Sequence, residues 1–109
     1  DGTGSVLEVR PGAQWSVVRI WMPTRLAPLV VDKGSITVDG VSLTVSDVSS
    51  ADVTDQWFEV SLIPETLAAT TLGAAVPGTD VNLETDILAR HVQRLIAFQN
   101  PTTTEGGSR

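Results

Sequence analysis

The stretch at residues 33–45 reads KGSITVDGVSLTV, and it indicates the type of fold more clearly than any other part of the chain. On both sides of Asp39-Gly40, apolar residues alternate with polar ones, which is the period of a half-buried β-strand. An Asp-Gly pair tolerates the positive φ angles of a type I′ turn between two strands. The stretch therefore predicts a β-hairpin with strands at 35–38 and 41–48.

Similar short runs, separated by Gly, Pro, Asp and Ser, lie on either side of this hairpin. Such regular spacing is typical of an all-β sandwich or barrel. We predict four further strands, at residues 4–9, 15–21, 57–63 and 81–84. Since six short strands can close a small barrel, the predicted fold class is all-β: a closed six-stranded β-barrel with short helices and a C-terminal α-helix.

Three segments predict the helical parts. Residues 25–31 suit a helical turn across one end of the barrel, and residues 65–69 suit a short helix that has Pro64 at its first position. A longer helix is predicted at 87–98, where apolar residues recur on one face. The barrel then occupies residues 1–86, and the polar tail at 99–109 predicts disorder.

The composition argues against several classes of function. The net charge is −6 and the basic residues are scattered, which opposes binding to nucleic acid. Arg19, Arg25 and Asp32 interrupt the apolar runs, so none reaches the roughly 18 residues that a membrane span needs. The absence of cysteine excludes disulfides and thiolate chemistry and fits a cytoplasmic protein.

Few side chains could carry chemistry by themselves. The single histidine, His91, lies beside the apolar stripe of the predicted last helix and far from any strained serine turn, which favours a structural or interface role. No His or carboxylate spacing is of the metal-site type, so no metal is predicted. Hydroxyl residues near strand ends suit a neutral, polyhydroxylated ligand, although each could be an ordinary strand or turn residue. They are Ser35, Thr37, Ser42, Thr44, Thr66, Thr70 and Thr71.

Three motifs, taken in order, resemble the riboflavin synthase family. They are KGSITVDGVSLTV at 33–45, LIPETL at 62–67 followed by TTLG at 70–73, and VNLE at 81–84. Three motifs in one order are far more specific than any one alone. The resemblance extends over nearly all of residues 1–95.

That family carries two homologous barrels in one chain, and the resemblance implies the second. Its first barrel opens with Met-Phe-Thr-Gly and usually has cysteine in an Asn-Gly-x-Cys-Leu-Thr segment, whereas residues 39–44 here read DGVSLT. Asp1-Gly2 match the last two residues of the Gly-His-Val-Asp-Gly stretch that joins the barrels. We therefore expect a piece of a longer chain, without the first-barrel histidine thought to assist catalysis.

The resemblance implies the dismutation of two molecules of 6,7-dimethyl-8-ribityllumazine. One gives a four-carbon unit to the other, which yields riboflavin and 5-amino-6-ribitylaminouracil without a cofactor or metal. In the family each active site forms between the first barrel of one subunit and the second barrel of another. The isolated domain should then be inactive without the N-terminal barrel, and the full enzyme is expected to be a homo-oligomer, a trimer.

Site residues carry over by motif position. Ser42 and Thr44 would lie at the lumazine ring as the catalytic pair. Asp86 would hold ribityl hydroxyls, although it is also well placed to cap the predicted last helix. The expected substrate-binding residues are Lys33, Gly34, Ile63, Thr66 and Asp86.

Two other functions stay open. The domain could be a non-enzymatic lumazine or flavin carrier. It could also be chiefly an oligomerisation module built on the helix at 87–98, whose apolar stripe could instead cover one mouth of its own barrel.

Overall fold

Six strands close into one barrel, as the sequence predicts. A computed structural model describes residues 2–85, and its strands follow the order β1-β2-β5-β4-β3-β6 around the barrel, each antiparallel to its neighbours. The predicted helix at 87–98, the tail at 99–109 and Asp86 lie outside the described residues. The strands are β1 (Gly2–Arg10), β2 (Ser16–Trp21), β3 (Ser35–Val38), β4 (Val41–Val48), β5 (Trp57–Leu62) and β6 (Asp80–Thr85).

The β3–β4 hairpin has the predicted bounds and the predicted turn. Asp39 and Gly40 have φ angles of 49° and 83°, which are the positive values that a type I′ turn requires at both central positions. The carboxylate of Asp39 accepts a hydrogen bond from the Asn82 N–H at 2.7 Å. That bond joins the tip of the hairpin to β6.

The inward-facing residues of the strands fill the barrel with apolar side chains. On β5, for example, Phe58, Val60 and Leu62 are at most 1% exposed, as the alternation of a strand predicts. Burying one such side chain stabilises the fold by about 1.5–3 kcal/mol. Because this interior is packed, a ligand has to bind on the outside of the barrel or at one of its ends.

Short helices cover both ends. A 3-10 helix at Thr24–Leu29 agrees with the predicted turn and buries Leu26 at one end. The short helix predicted at 65–69 with Pro64 at its first position is α1 (Pro64–Ala69), as proline suits the first helical position. A second 3-10 helix, Thr71–Ala74, follows it and buries Leu72. Among the helices of residues 2–85, none has the length and apolar character that a membrane span needs.

Candidate functional site

Two neighbouring strands part at one end of the barrel. The pairing of β4 with β5 begins only at Val45 and Val60. Before that point β4 is paired with β3 from Val41 onward, and β5 continues beside β2 as far as Leu62. Within the described chain, residues 41–44 of β4 and residues 61–62 of β5 therefore face each other without strand pairing. We call this gap the seam.

Hydrogen bonds to β3 fix the direction of the backbone groups along β4. The N–H of Val45 donates to the Gly34 C=O at 2.8 Å, and the Val45 C=O accepts from the Lys33 N–H at 2.7 Å. Successive residues of an antiparallel strand direct their backbone groups to opposite sides. The N–H and C=O of Ser42 therefore point toward β5, into the seam, and Thr44 lies where the two strands part.

The hairpin also carries hydroxyl groups on its outer face. Thr37 pairs with Ser42, and Ser35 pairs with Thr44, so the four side chains lie on one face with Cβ atoms about 4.5–5.5 Å apart within each pair. Ser42 and Thr44 are exposed. None of the four hydroxyls makes a hydrogen bond to another residue in the range 2–85. We call Ser35, Thr37, Ser42 and Thr44 the hydroxyl patch.

Ile63 and Thr66 lie at the same end of the barrel as the seam, because β5 ends there and continues into α1. Ile63 is 51% exposed, and the alternation of β5 directs it to the outer face. Its C=O accepts from the Leu67 N–H at 3.1 Å, so the end of the strand is joined to the first turn of α1. Thr66 is half-buried, and within residues 2–85 its hydroxyl has no hydrogen-bond partner.

Lys33 and Gly34 lie beside the point where the seam opens, but most of their backbone groups are already bonded. Besides the two bonds to Val45, the Gly34 N–H donates to the Val31 C=O at 2.9 Å. Lys33 has a φ of 67° and an exposed side chain. A ligand could use the Lys33 C=O or its ammonium group, whereas the N–H and C=O of Gly34 each already make one hydrogen bond.

The structure adds Trp15 to the surroundings of the seam. Ser16 pairs with Leu62, so the residue just before β2 and the residue just after β5 come next in the register of these two strands. Those residues are Trp15 and Ile63, each 51% exposed. Alternation along β2 directs Trp15 outward, but its position beside Ile63 depends on the pairing of β2 with β5, which the sequence does not reveal.

Charged groups elsewhere on the outer face neutralise one another. The buried carboxylate of Glu59 accepts from Arg19 Nε at 2.8 Å and from an Arg10 guanidinium N–H at 3.0 Å. The Glu8 and Glu59 carboxylates raise the pKa of Arg10 above its ordinary value, and the Arg19 guanidinium stacks on the Trp57 ring at 3.7 Å. This part of β1, β2 and β5 therefore offers a ligand no unpaired charge.

The acidic side chains of residues 2–85 do not form a metal site, because nowhere in that range do three or more come together. The seam is lined by backbone groups, hydroxyls and apolar side chains. Such a lining suits a neutral ligand that is oriented by hydrogen bonds.

A cavity of about 400 Å³ lies at the opposite end of the barrel, and Met22, Val30 and Gln56 are among its lining residues. The Gln56 amide group is fully engaged, since its Oε1 accepts from the Ser49 hydroxyl at 2.9 Å and its Nε2 donates to the Val53 C=O at 2.8 Å. The polar group of Gln56 is therefore used inside the protein and is not available to orient a ligand in the cavity.

Comparison with known proteins decides the family. The model of the family described as "Lumazine binding domain" matches residues 1–86. The chain belongs to the lumazine-binding domain family. This lumazine-binding domain is 56% identical to the riboflavin synthase of Mycobacterium tuberculosis over 96 residues, which cover 88% of the chain and 47% of that protein.

Two more distant riboflavin synthases agree. The enzyme of Actinobacillus pleuropneumoniae is 40% identical over 88% of the chain and 42% of its own length. That of Photobacterium phosphoreum is 35% identical over 93% of the chain and 44% of its own length. The lumazine-binding domain thus spans somewhat less than half of these relatives. The resemblance to riboflavin synthase is confirmed, and the choice of the second barrel stays a prediction.

Proline substitutions test the unpaired edge of the seam. The Leu43 N–H belongs to the β3–β4 ladder, so Leu43→Pro should cost about 3 kcal/mol or more. Ser42→Pro removes an N–H that has no strand partner, and proline is tolerated at such edge positions, so the loss should be clearly smaller. Urea unfolding measures both variants. Equal losses of stability would mean that the Ser42 N–H is bonded and that the seam is closed.

Proposed function

We propose that this domain binds the ring system of 6,7-dimethyl-8-ribityllumazine at the seam and serves as the C-terminal barrel of a riboflavin synthase. The observation that carries this proposal is the unpaired backbone edge of Ser42 beside the hydroxyl patch, in a chain whose residues 1–86 match the lumazine-binding model.

A flat heterocycle suits the seam for a simple chemical reason. A lumazine ring carries carbonyl and N–H groups along its edge, as a peptide does, and an unpaired strand edge supports binding through main-chain hydrogen bonds. In our proposal the ring lies against Ser42 and Thr44 and packs on Ile63. Thr66 donates or accepts through its hydroxyl, which has no hydrogen-bond partner within residues 2–85. Lys33 and Gly34 border the ring, and Asp86 binds the ribityl hydroxyls.

The proposed reaction needs no strong acid or base from this domain. Two identical lumazines give riboflavin and 5-amino-6-ribitylaminouracil, so the atoms balance without an oxidant or reductant. The acidic C7 methyl group of one ring and the electrophilic ring of the other supply the reactivity. The protein then contributes mainly orientation, which can lower the barrier by about 7–11 kcal/mol when both reactants are held in place. Ser42 and Thr44 would fix one of the two rings.

The second ring requires a second surface. We propose that the N-terminal barrel of the same enzyme, contributed by another subunit of a homo-oligomer, holds it opposite the seam. The length of the relatives supports this proposal, because the chain covers 47% of the Mycobacterium tuberculosis enzyme. A trimer is the assembly that the family implies for the full enzyme.

A non-enzymatic lumazine or flavin carrier is the second candidate. It is favoured by the fact that the seam belongs to a single barrel, so binding needs no other chain. The two candidates differ in whether chemistry follows when an N-terminal barrel is supplied.

Ligand titration tests the proposed site. Riboflavin and 6,7-dimethyl-8-ribityllumazine should bind to the chain, as followed by the change in their fluorescence. Ser42→Ala and Thr44→Val should each weaken binding by about three- to tenfold, the worth of one hydrogen bond. The control is Thr54→Val, in an exposed loop at the other end of the barrel, which should bind like the unchanged chain. If all variants bind with one affinity, the ligand does not lie at the seam.

An activity assay separates the enzyme from the carrier. Incubated alone with 6,7-dimethyl-8-ribityllumazine, the chain should form little riboflavin, because one of the two ring sites is missing. Addition of a separately produced N-terminal barrel should restore turnover, read as riboflavin absorbance. Robust turnover by this chain alone would contradict the two-barrel proposal. Binding that never leads to turnover in the mixture would favour the carrier.

A further inference from the structure

The helix that carries Thr66 is short and mostly exposed. α1 has six residues, none of them buried, and no side chain caps its N-terminus. Helices this short are unstable in isolation, because nucleation is costly and few hydrogen bonds follow. Leu67 is the residue of α1 that packs against the barrel core, and the orientation of the helix beside the seam also depends on contacts made where it ends.

One hydroxyl makes two of these contacts. At Thr70 the backbone becomes extended, with φ −131° and ψ 167°, so the helix stops and the last carbonyls need other donors. The Thr70 hydroxyl donates to the Thr66 C=O at 2.7 Å. The same oxygen accepts from the Leu72 N–H at 3.3 Å, which caps the second 3-10 helix. A single side chain thus joins α1 to the helix that follows it.

The second 3-10 helix provides the fixed end of this connection. Leu72 is only 4% exposed and belongs to the barrel core. Gly73 lies so close to α1 that a Cβ atom there would overlap the Leu67 C=O, so the two helices are in tight contact. Through Thr70, the position of Thr66 is therefore tied to a residue in the core.

We infer that Thr70 is a positioning residue of the ligand site, which holds the Thr66 hydroxyl at the seam without touching the ligand. This inference rests on the proposed function, since it assumes that Thr66 contacts the lumazine. It assigns to Thr70 a role in affinity that is separate from its role in folding.

Three variants isolate the hydroxyl. Thr70→Val keeps the shape of the side chain and removes both hydrogen bonds, and it should weaken riboflavin binding by about fivefold or more. Thr70→Ser keeps the hydroxyl and should restore affinity to within about twofold. The matched control is Thr71→Val, because Thr71 is exposed and its hydroxyl makes no hydrogen bond in the described part of the chain. Should Thr70→Val fail to fold, Thr70→Ala replaces it.

A double-mutant cycle with Thr66→Val separates positioning from general stability, with binding measured at a temperature where circular dichroism shows every variant folded. If Thr70 acts through Thr66, Thr66→Val and the double variant Thr66→Val/Thr70→Val should bind riboflavin equally well. If the double variant instead loses affinity by the product of the two single-variant losses, the inference is overturned.

The remaining outcomes distinguish this inference from the proposed function. If the unchanged chain binds neither riboflavin nor 6,7-dimethyl-8-ribityllumazine, the proposed function fails and the inference fails with it. If Thr66→Val weakens binding while Thr70→Val does not, only the role of Thr70 is overturned. If Thr66→Val changes nothing, Thr66 is not a contact and Thr70 cannot position one.

Discussion

The structure depends on the fact that β4 changes partners along its length: its first half pairs with β3, and its second half pairs with β5. Closure of a barrel removes exposed strand edges, yet β5 follows β2 to Leu62, and within residues 2–85 the first half of β4 has no strand partner on the side that faces β5. A buried strand edge of this kind would be costly, because backbone N–H and C=O groups need partners. Ser42 and Thr44 are exposed at the seam, so their backbone groups can be hydrated in the free protein, and a ligand can replace that water.

The packed interior makes this edge the natural place for binding. Small closed barrels are either filled by side chains or hollow enough for one ligand, and here Phe58, Val60 and their neighbours fill the space. On the outside, Glu59 forms ion pairs with Arg10 and Arg19, so these charges neutralise one another. The hydroxyl patch, exposed Ile63 and α1 surround the seam, so in our proposal recognition combines main-chain hydrogen bonds, neutral hydroxyls and one apolar contact. These are groups that orient a planar, uncharged ring.

Local signals in the sequence account for most of the fold. Alternation predicted the strands, Asp39-Gly40 predicted the turn, and the same alternation placed Ser42 and Thr44 on one face. The seam could not be predicted, because it depends on where β4 and β5 stop pairing, and that is set by the whole barrel. For the same reason β1 begins earlier than predicted, since Gly2 and Thr3 pair with β6, which is far away in the sequence. The relevance of Trp15 likewise depends on the register of β2 with β5.

Amide hydrogen exchange at Ser42, followed by nuclear magnetic resonance, tests the central claim that the seam is an open strand edge to which the ring binds. In the free protein the Leu43 amide, which is bonded to β3, should exchange slowly, and the Ser42 amide should exchange rapidly. Saturation with 6,7-dimethyl-8-ribityllumazine should slow exchange at Ser42 and leave Leu43 nearly unchanged. Slow exchange at Ser42 in the free protein, or no change there when the ligand is bound, would contradict the account.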